Sequence, residues 1–221
     1  MKFVELCHRV TDGLITFPGI PAVEISAYLS REECGRQFGE KAAALLDQIK
    51  MVNISGTYLD APLHISDDGY TIADIPLEKI VDLPFTTVKM RSDRNYFDKY
   101  DFTGIGIDGG AVLLFTGHDK KFGTDEYGIN PPYLTGDGAK YLIERNVVFV
   151  GIDSPLIDDM VRSAEIGLPA HDTILSAGAV VCEDMTNLDK IYGKNGLLTA
   201  VPPAVEMASF TARVFVKLLE E

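Results

Sequence analysis

The sequence predicts an α/β fold, a single domain built on a curled mixed central sheet, and three features carry that expectation. Two continuous apolar runs of strand length, 111–116 (Ala-Val-Leu-Leu-Phe-Thr) and 147–152 (Val-Val-Phe-Val-Gly-Ile), suit strands buried on both faces. A compact helix candidate opening at Thr135 lies between them, so strand, helix and parallel strand form a βαβ unit. The C-terminal stretch 212–218 alternates instead, apolar on one face, which mixes antiparallel strands into the sheet. With 221 residues, 46% of them hydrophobic, the chain can bury one sizeable core or at most two small ones. No repeat, low-complexity tract or composition break marks a linker, and residues 1–221 read as one domain.

In chain order, the first residues alternate as a strand that includes His8, before the turn Asp12-Gly13 and the loop Phe17-Pro18-Gly19. Ser30 as N-cap and Glu33 at the third helical position predict a helix start, continued by Ala42, Leu45, Leu46 and Ile49 at near-helical spacing. Gly35 and Gly39 weaken its first half, which leaves a start near Glu40 as the alternative. After the segment 52–65, a short helical turn opened by Pro76 and a strand over 86–90 are expected. The helix from Thr135 to Arg145 is capped by Thr135 or Asp137, and a further strand spans 179–182.

Composition excludes several classes of function. A net charge of -13, with Lys and Arg scattered rather than clustered, argues against nucleic acid. No apolar run reaches the roughly 18–20 residues of a membrane span, and charge interrupts the N-terminus too early for a signal peptide, so a soluble cytoplasmic protein is expected. Cys7, Cys34 and Cys182 form no Cys-x-x-Cys pair and read as thiols in a reducing compartment. No Gly-x-Ser-x-Gly, phosphate loop or Gly-x-Gly-x-x-Gly follows an expected strand, so serine-hydrolase, nucleotide and dinucleotide readings lack support.

The chemistry concentrates in Val52-Asn-Ile-Ser-Gly-Thr-Tyr-Leu-Asp-Ala-Pro-Leu-His-Ile65. In an extended backbone Tyr58, Asp60 and His64 share a face. His64, beyond Pro62, reads as a general acid or base, or as a loop histidine bonded to backbone. Asp60, in apolar surroundings, must be paired, hydrogen-bonded or metal-bound, unless it only forms the turn before Pro62. A fully extended chain would set Asp60 and His64 ~13 Å apart, which favours His64 as acid or base over His64 as a ligand. A second cluster holds Asp153, His171 and Glu183, whose oxygen and nitrogen donors suit zinc or manganese. Asp153 ends a buried strand, where function or the capping of a turn are both open readings. His118 reads as a satisfied surface-loop histidine and His8 as structural.

These residues are similar to those of a known family. The stretch Ile54-Ser-Gly-Thr-Tyr58-Leu-Asp60-Ala-Pro-Leu-His64 resembles the string His-x-Gly-Thr-His-x-Asp-x-Pro-x-His of the cyclase and bacterial kynurenine formamidase family, metal-dependent amide and lactone hydrolases that include isatin hydrolases. Phe17-Pro18-Gly19, Leu114-Phe-Thr-Gly117, Pro132-Tyr-Leu, Gly151-Ile-Asp-Ser-Pro155 and His171 through Glu183 to Asn187-Leu188 extend the resemblance along nearly the whole chain. It implies a swivelling β/β/α domain, a homodimer and a small-molecule substrate. Asp60, His171 and Glu183 are then the implied metal ligands or partners of metal-bound water, and His64 the proton-transfer histidine.

The departures are Ile54 and Tyr58, which replace both leading histidines of the string. Isoleucine has no donor, and a phenol with a reference pKa of ~10 binds only with strong help from a cation. One divalent metal, zinc or manganese, is therefore expected rather than two. Three functions compete: an arylformamidase-like hydrolase of small amides or lactones, a metal-free acid–base enzyme using Tyr58, His64 and Glu183, and a silent small-molecule-binding relative.

Overall fold

The computed structural model describes residues 2–219. Its strands are β1 (Lys2–Glu5), β2 (Glu24–Leu29), β3 (Leu46–Lys50), β4 (Tyr58–Asp60), β5 (Leu83–Lys89), β6 (Tyr96–Phe97) and β7 (Ala111–Phe115). They continue as β8 (Tyr133–Leu134), β9 (Phe149–Ile152), β10 (Val180–Glu183), β11 (Gly196–Val201), β12 (Ser209–Thr211) and β13 (Arg213–Leu218). The helices are α1 (Arg31–Phe38), α2 (Lys99–Phe102), α3 (Gly136–Ile143), α4 (Ser163–Ile166) and α5 (Pro169–Ser176).

Nine strands form one sheet in the order β1-β13-β11-β5-β7-β9-β10-β4-β12. The centre, β5-β7-β9-β10, is parallel, and both flanks are antiparallel. The expected βαβ unit is present: β7 and β9 pair in parallel, and α3 lies between them in sequence, capped by the Thr135 side chain. Val112, Leu114, Val150 and Ile152 point to one face and pack with Leu142 of α3 and Ile174 of α5. Leu113, Phe149, Leu59, Cys182 and Val214 point to the other, where the 3₁₀ turns Ile72–Asp74 and Leu77–Lys79 contribute Ile72, Ile75 and Ile80. Two-sided burial is why the central runs are apolar without alternation. A sheet covered on both faces and edged by antiparallel strands is the curled α/β architecture expected from sequence.

The helix expected through Ile49 does not form as such. α1 starts at the Ser30 capping box but ends at Gly39, whose φ of 99° no continuing helix adopts. Residues 46–50 are instead β3, paired antiparallel with β2 in a two-stranded arm outside the main sheet. Near-helical spacing failed as a guide because Leu45, Leu46 and Ile49 face no core; all three are exposed. With no face to bury, the backbone takes the ladder that β2 offers. Further corrections are local. The strand expected over 86–90 begins at Leu83, the helical turn at Pro76 is two 3₁₀ turns on either side of it, and His8 lies beyond β1. The three cysteines are free, Cys34 and Cys182 buried and Cys7 half-buried. No helix of the described residues is long and apolar enough to cross a membrane.

One close approach fixes the segment that follows β4. Gly69 lies so tightly against the turn Pro62–His64 that a Cβ there would sit 2.3 Å from Leu63 N and from Pro62 C. Backbone cannot yield as a side-chain tip does, so Gly69→Ala is expected to destabilise the protein by roughly 1–3 kcal/mol, read as a lowered urea midpoint at unchanged slope.

Candidate functional site

The site is laid out by the register of β10, β4 and β12. Tyr58 pairs with Glu183 on one side and Thr211 on the other; Asp60 pairs with Val181 and Ser209. Side chains two apart on a strand share a face, so Tyr58 and Asp60 emerge together while Leu59 between them enters the core. Cross-strand pairing then sets Glu183 beside Tyr58 and Ser209 beside Asp60. The kink that precedes β4 depends on Gly56, at φ 76°, whose N–H is held by Thr16 Oγ1 at 2.8 Å.

The extended geometry drawn from sequence stops at Asp60. Pro62–His64 forms a 3₁₀ turn, and the chain folds back so that His64 Nδ1 lies 3.6 Å from Asp60 Oδ1 rather than a strand length away. The premise that set His64 too far off to ligate therefore fails. Asp60, His64 and His171 each offer a donor atom within 4.8 Å of one another. His64 is the accessible member, its side chain 33% exposed, whereas Asp60, His171 and Glu183 are buried.

His171 arrives on α5, whose own N-cap, Leu168, supplies no side-chain bond. Asp158 takes over that duty: Oδ1 accepts from Ala170 N at 2.7 Å, and Oδ2 accepts from His171 N at 3.0 Å and from His171 Nδ1 at 2.7 Å. With Nδ1 bonded to Asp158, His171 turns Nε2 toward Asp60 Oδ2 at 3.6 Å and Glu183 Oε1 at 3.5 Å. Neither His171 Nε2 nor Asp60 Oδ2 has a hydrogen-bond partner, although both are buried. Burial by itself lowers the basicity of His171, but Glu183, Asp158 and Asp60 outweigh it and raise its pKa well above the ordinary value. The carboxyl of Glu183 is likewise raised, by burial first. Negative charge thus converges on one buried point that holds two orphaned atoms, an arrangement that calls for a cation.

A tetrahedral zinc with ligands at ~2.1 Å holds its donors about 3.4 Å apart. The separations around His171 Nε2, 3.6 and 3.5 Å, match that spacing. Asp60 and His171 therefore fit one divalent ion together with His64, and Glu183 Oε1, 3.5 Å from His171 Nε2, is the alternative third donor. Glu183 is already engaged at both oxygens: Oε1 accepts from Ile157 N, at 2.5 Å, and Oε2 from the Tyr58 hydroxyl. Tyr58 is buried, and burial followed by the Glu183, Asp60 and Asp184 charges raises its pKa well above the ordinary phenol value. The phenol is thus a neutral hydrogen-bond donor, not a phenolate ligand.

The family model whose description reads "Putative cyclase" matches residues 4–159. The chain belongs to this cyclase family. Kynurenine formamidase of Bacillus cereus is 23% identical over 206 residues, covering 92% of this chain and 91% of that protein. Kynurenine formamidase of Salinibacter ruber is 24% identical over 212 residues, covering 92% and 86%. Among solved structures, isatin hydrolase A from Labrenzia aggregata bound to benzyl benzoate superposes with a TM-score of 0.82 at 20% identity, covering all of this chain and 94% of that one. A structure described as a potential metal-dependent hydrolase with cyclase activity gives 0.79 at 24%, covering 100% and 99%. These likenesses establish the shared fold.

In this cyclase-family chain Ile54 and Tyr58 both face the cleft above the cluster, a space of ≈ 300 Å³ walled by Phe17, Ile54, Pro155, Leu156 and Met160 and floored by Tyr58, His64, Glu183 and Asp184. The remaining candidates stay outside it. Asp153 accepts from Thr116 N, Thr116 Oγ1 and Gly117 N, so it caps the turn after β7. His118 is buried rather than superficial, its Nε2 2.8 Å from Tyr127 O. His8 stacks on Phe122, and burial lowers its pKa to about 4.

Two residues escaped the sequence reading, Asp158 and Ser209. Asp158 is separated from the helix it caps by the loop that contains α4, so no local capping pattern announces it. Ser209 lies in β12, ahead of the alternating stretch 212–218, and no motif marks it. Removing the Asp158 carboxylate in Asp158→Ala leaves two helix N–H groups and the His171 ring unpaired, and is expected to cost roughly 3 kcal/mol, measured by urea unfolding of metal-free protein.

Proposed function

We propose that this cyclase-family chain is a metal-dependent hydrolase of a small amide or lactone, arylformamidase-like in its chemistry. The observation that carries the reading is the pair of buried, unpartnered atoms, Asp60 Oδ2 and His171 Nε2, 3.6 Å apart and flanked by Glu183. Asp60, His171 and Glu183 would hold one divalent zinc or manganese ion. Such an ion would supply Lewis acidity toward a carbonyl and lower the pKa of a water. His64, at the mouth of the cluster, takes and returns the proton that hydrolysis moves to the leaving amine or alcohol. Tyr58 and Asp158 hold Glu183 and His171 in place, and apolar walls line the cleft beside them.

The shape and lining of the cleft support a compact, uncharged substrate. Its walls are mainly apolar, and no lysine or arginine lines it to receive a carboxylate. The metal-free alternative, with Tyr58, His64 and Glu183 in acid–base roles, draws less support, because the Tyr58 proton is committed to Glu183. A homodimer is part of the same proposal, with the arm as its surface: Ile25, Tyr28, Leu46 and Ile49 are exposed on two strands that belong to no core.

Calorimetry with zinc chloride on chelator-treated protein is expected to show one equivalent bound. Asp60→Asn and His171→Ala should weaken binding at least 10-fold, and hydrolysis of aryl formamides or aryl lactones should vanish with the metal and return with it. Activity that survives chelation and is lost in Tyr58→Phe would select the metal-free reading. Light scattering is expected to give twice the chain mass, falling to the monomer in Tyr28→Glu/Ile49→Asp.

A further inference from the structure

Ser209 is buried, and its hydroxyl sits between two members of the site. It bonds to Asp60 Oδ1 and lies 3.1 Å from His64 Nδ1. A hydroxyl carries one proton and two lone pairs, so the two contacts cannot both be donations from Ser209. Asp60 as a carboxylate accepts only, and the serine proton therefore goes to Asp60 Oδ1. The contact with His64 is then completed only if Nδ1 carries the proton and donates it to the serine oxygen. In the opposite arrangement, with the hydroxyl donating to a bare Nδ1, the serine and Asp60 oxygens face each other in a buried site with no proton between them.

We infer that Ser209 is a positioning residue: its hydroxyl, anchored on Asp60, fixes His64 in the Nδ1–H form and leaves the Nε2 lone pair as the atom that handles the substrate proton. The assignment rests on the hydrolase reading for what Nε2 does, and on hydrogen-bond geometry alone for the tautomer. It also resolves the third donor. The His64 nitrogen that lies nearest Asp60 is Nδ1, 3.6 Å away, and a protonated nitrogen has no lone pair for a metal. His64 is thereby removed from the ligand set through that atom and kept as acid and base, which leaves Glu183 to complete the set with Asp60 and His171. The same hydroxyl links two chain segments, the 3₁₀ turn after β4 and strand β12, so it also limits rotation of the His64 ring, whose other neighbour is His171 at a centroid distance of 5.5 Å.

Free imidazole prefers the Nε2–H form, so the proposal has a spectroscopic signature. Long-range ¹H–¹⁵N correlation spectra of zinc-loaded protein at pH 8.5, with only four histidines to assign and His64→Asn to identify the signal, are expected to show His64 as Nδ1–H. In Ser209→Ala the His64 pattern should move to Nε2–H or to a mixture, and Ser209→Thr, which keeps the hydroxyl, should restore it. If the aryl amide or lactone is hydrolysed, Ser209→Ala should lower kcat by about 10- to 100-fold with KM within threefold and zinc stoichiometry unchanged. A wild-type His64 in the Nε2–H form, or a Ser209→Ala spectrum identical to wild type, overturns the proposal whether or not the protein hydrolyses anything. Absent hydrolysis with the Nδ1–H form seen in wild type and lost in Ser209→Ala overturns the hydrolase reading and leaves the role of Ser209 in place. Loss of zinc in Ser209→Ala with the His64 spectrum unmoved overturns it too, since the hydroxyl would then serve Asp60 alone.

Discussion

The register among β10, β4 and β12 is the constraint on which the site depends. Glu183 lies opposite Tyr58, and Asp60 opposite Ser209, because the ladders align those residues and no others. The side-chain period of a strand is two, so a slip of one residue would turn Asp60 and Tyr58 into the core and bring Leu59 out. Leu59, fully buried against the core, and the polar pair on either side of it oppose that slip together. Folding energy and site geometry are therefore coupled: the apolar residue that anchors β4 also aims the carboxylate.

Around this frame the fold concentrates carboxylates about one buried histidine. Asp158, Asp60 and Glu183 surround His171, and two atoms in the centre have no partner within the protein. Unpaired buried polar atoms oppose folding, so a site with two of them facing one another is stabilised by whatever positive charge enters it. Tyr58 and Ile54 change the edge of this site rather than its centre. Tyr58 spends its proton on Glu183, and Ile54 joins the apolar wall. The substitutions thus remove donors on the cleft side while leaving the donors around His171 intact.

The arm shows the same physics with the opposite outcome. The residues from Leu45 to Ile49 carry enough apolar side chains for a helix face, yet no surface of the chain receives them. Secondary structure there follows the available hydrogen-bond partner, β2, instead of the spacing of the apolar residues. A periodicity is informative only where a core exists to reward it.

By itself the sequence determined the parallel centre of the sheet and the capped helix at Thr135, and it nominated Asp60, His64, His171 and Glu183 as candidate site residues. Local pattern sufficed for these, because burial on two faces, capping and motif spacing are all written within a few residues of the chain. What only the tertiary structure decided is how those four meet. The 3₁₀ turn at Pro62 brings His64 back to Asp60, Asp158 reaches α5 from the loop before it, and Ser209 comes from 149 positions beyond Asp60 to bridge two side chains. Each of these contacts joins segments remote in sequence, or reverses the chain between them, and their distances are set by sheet register and packing that no local pattern encodes.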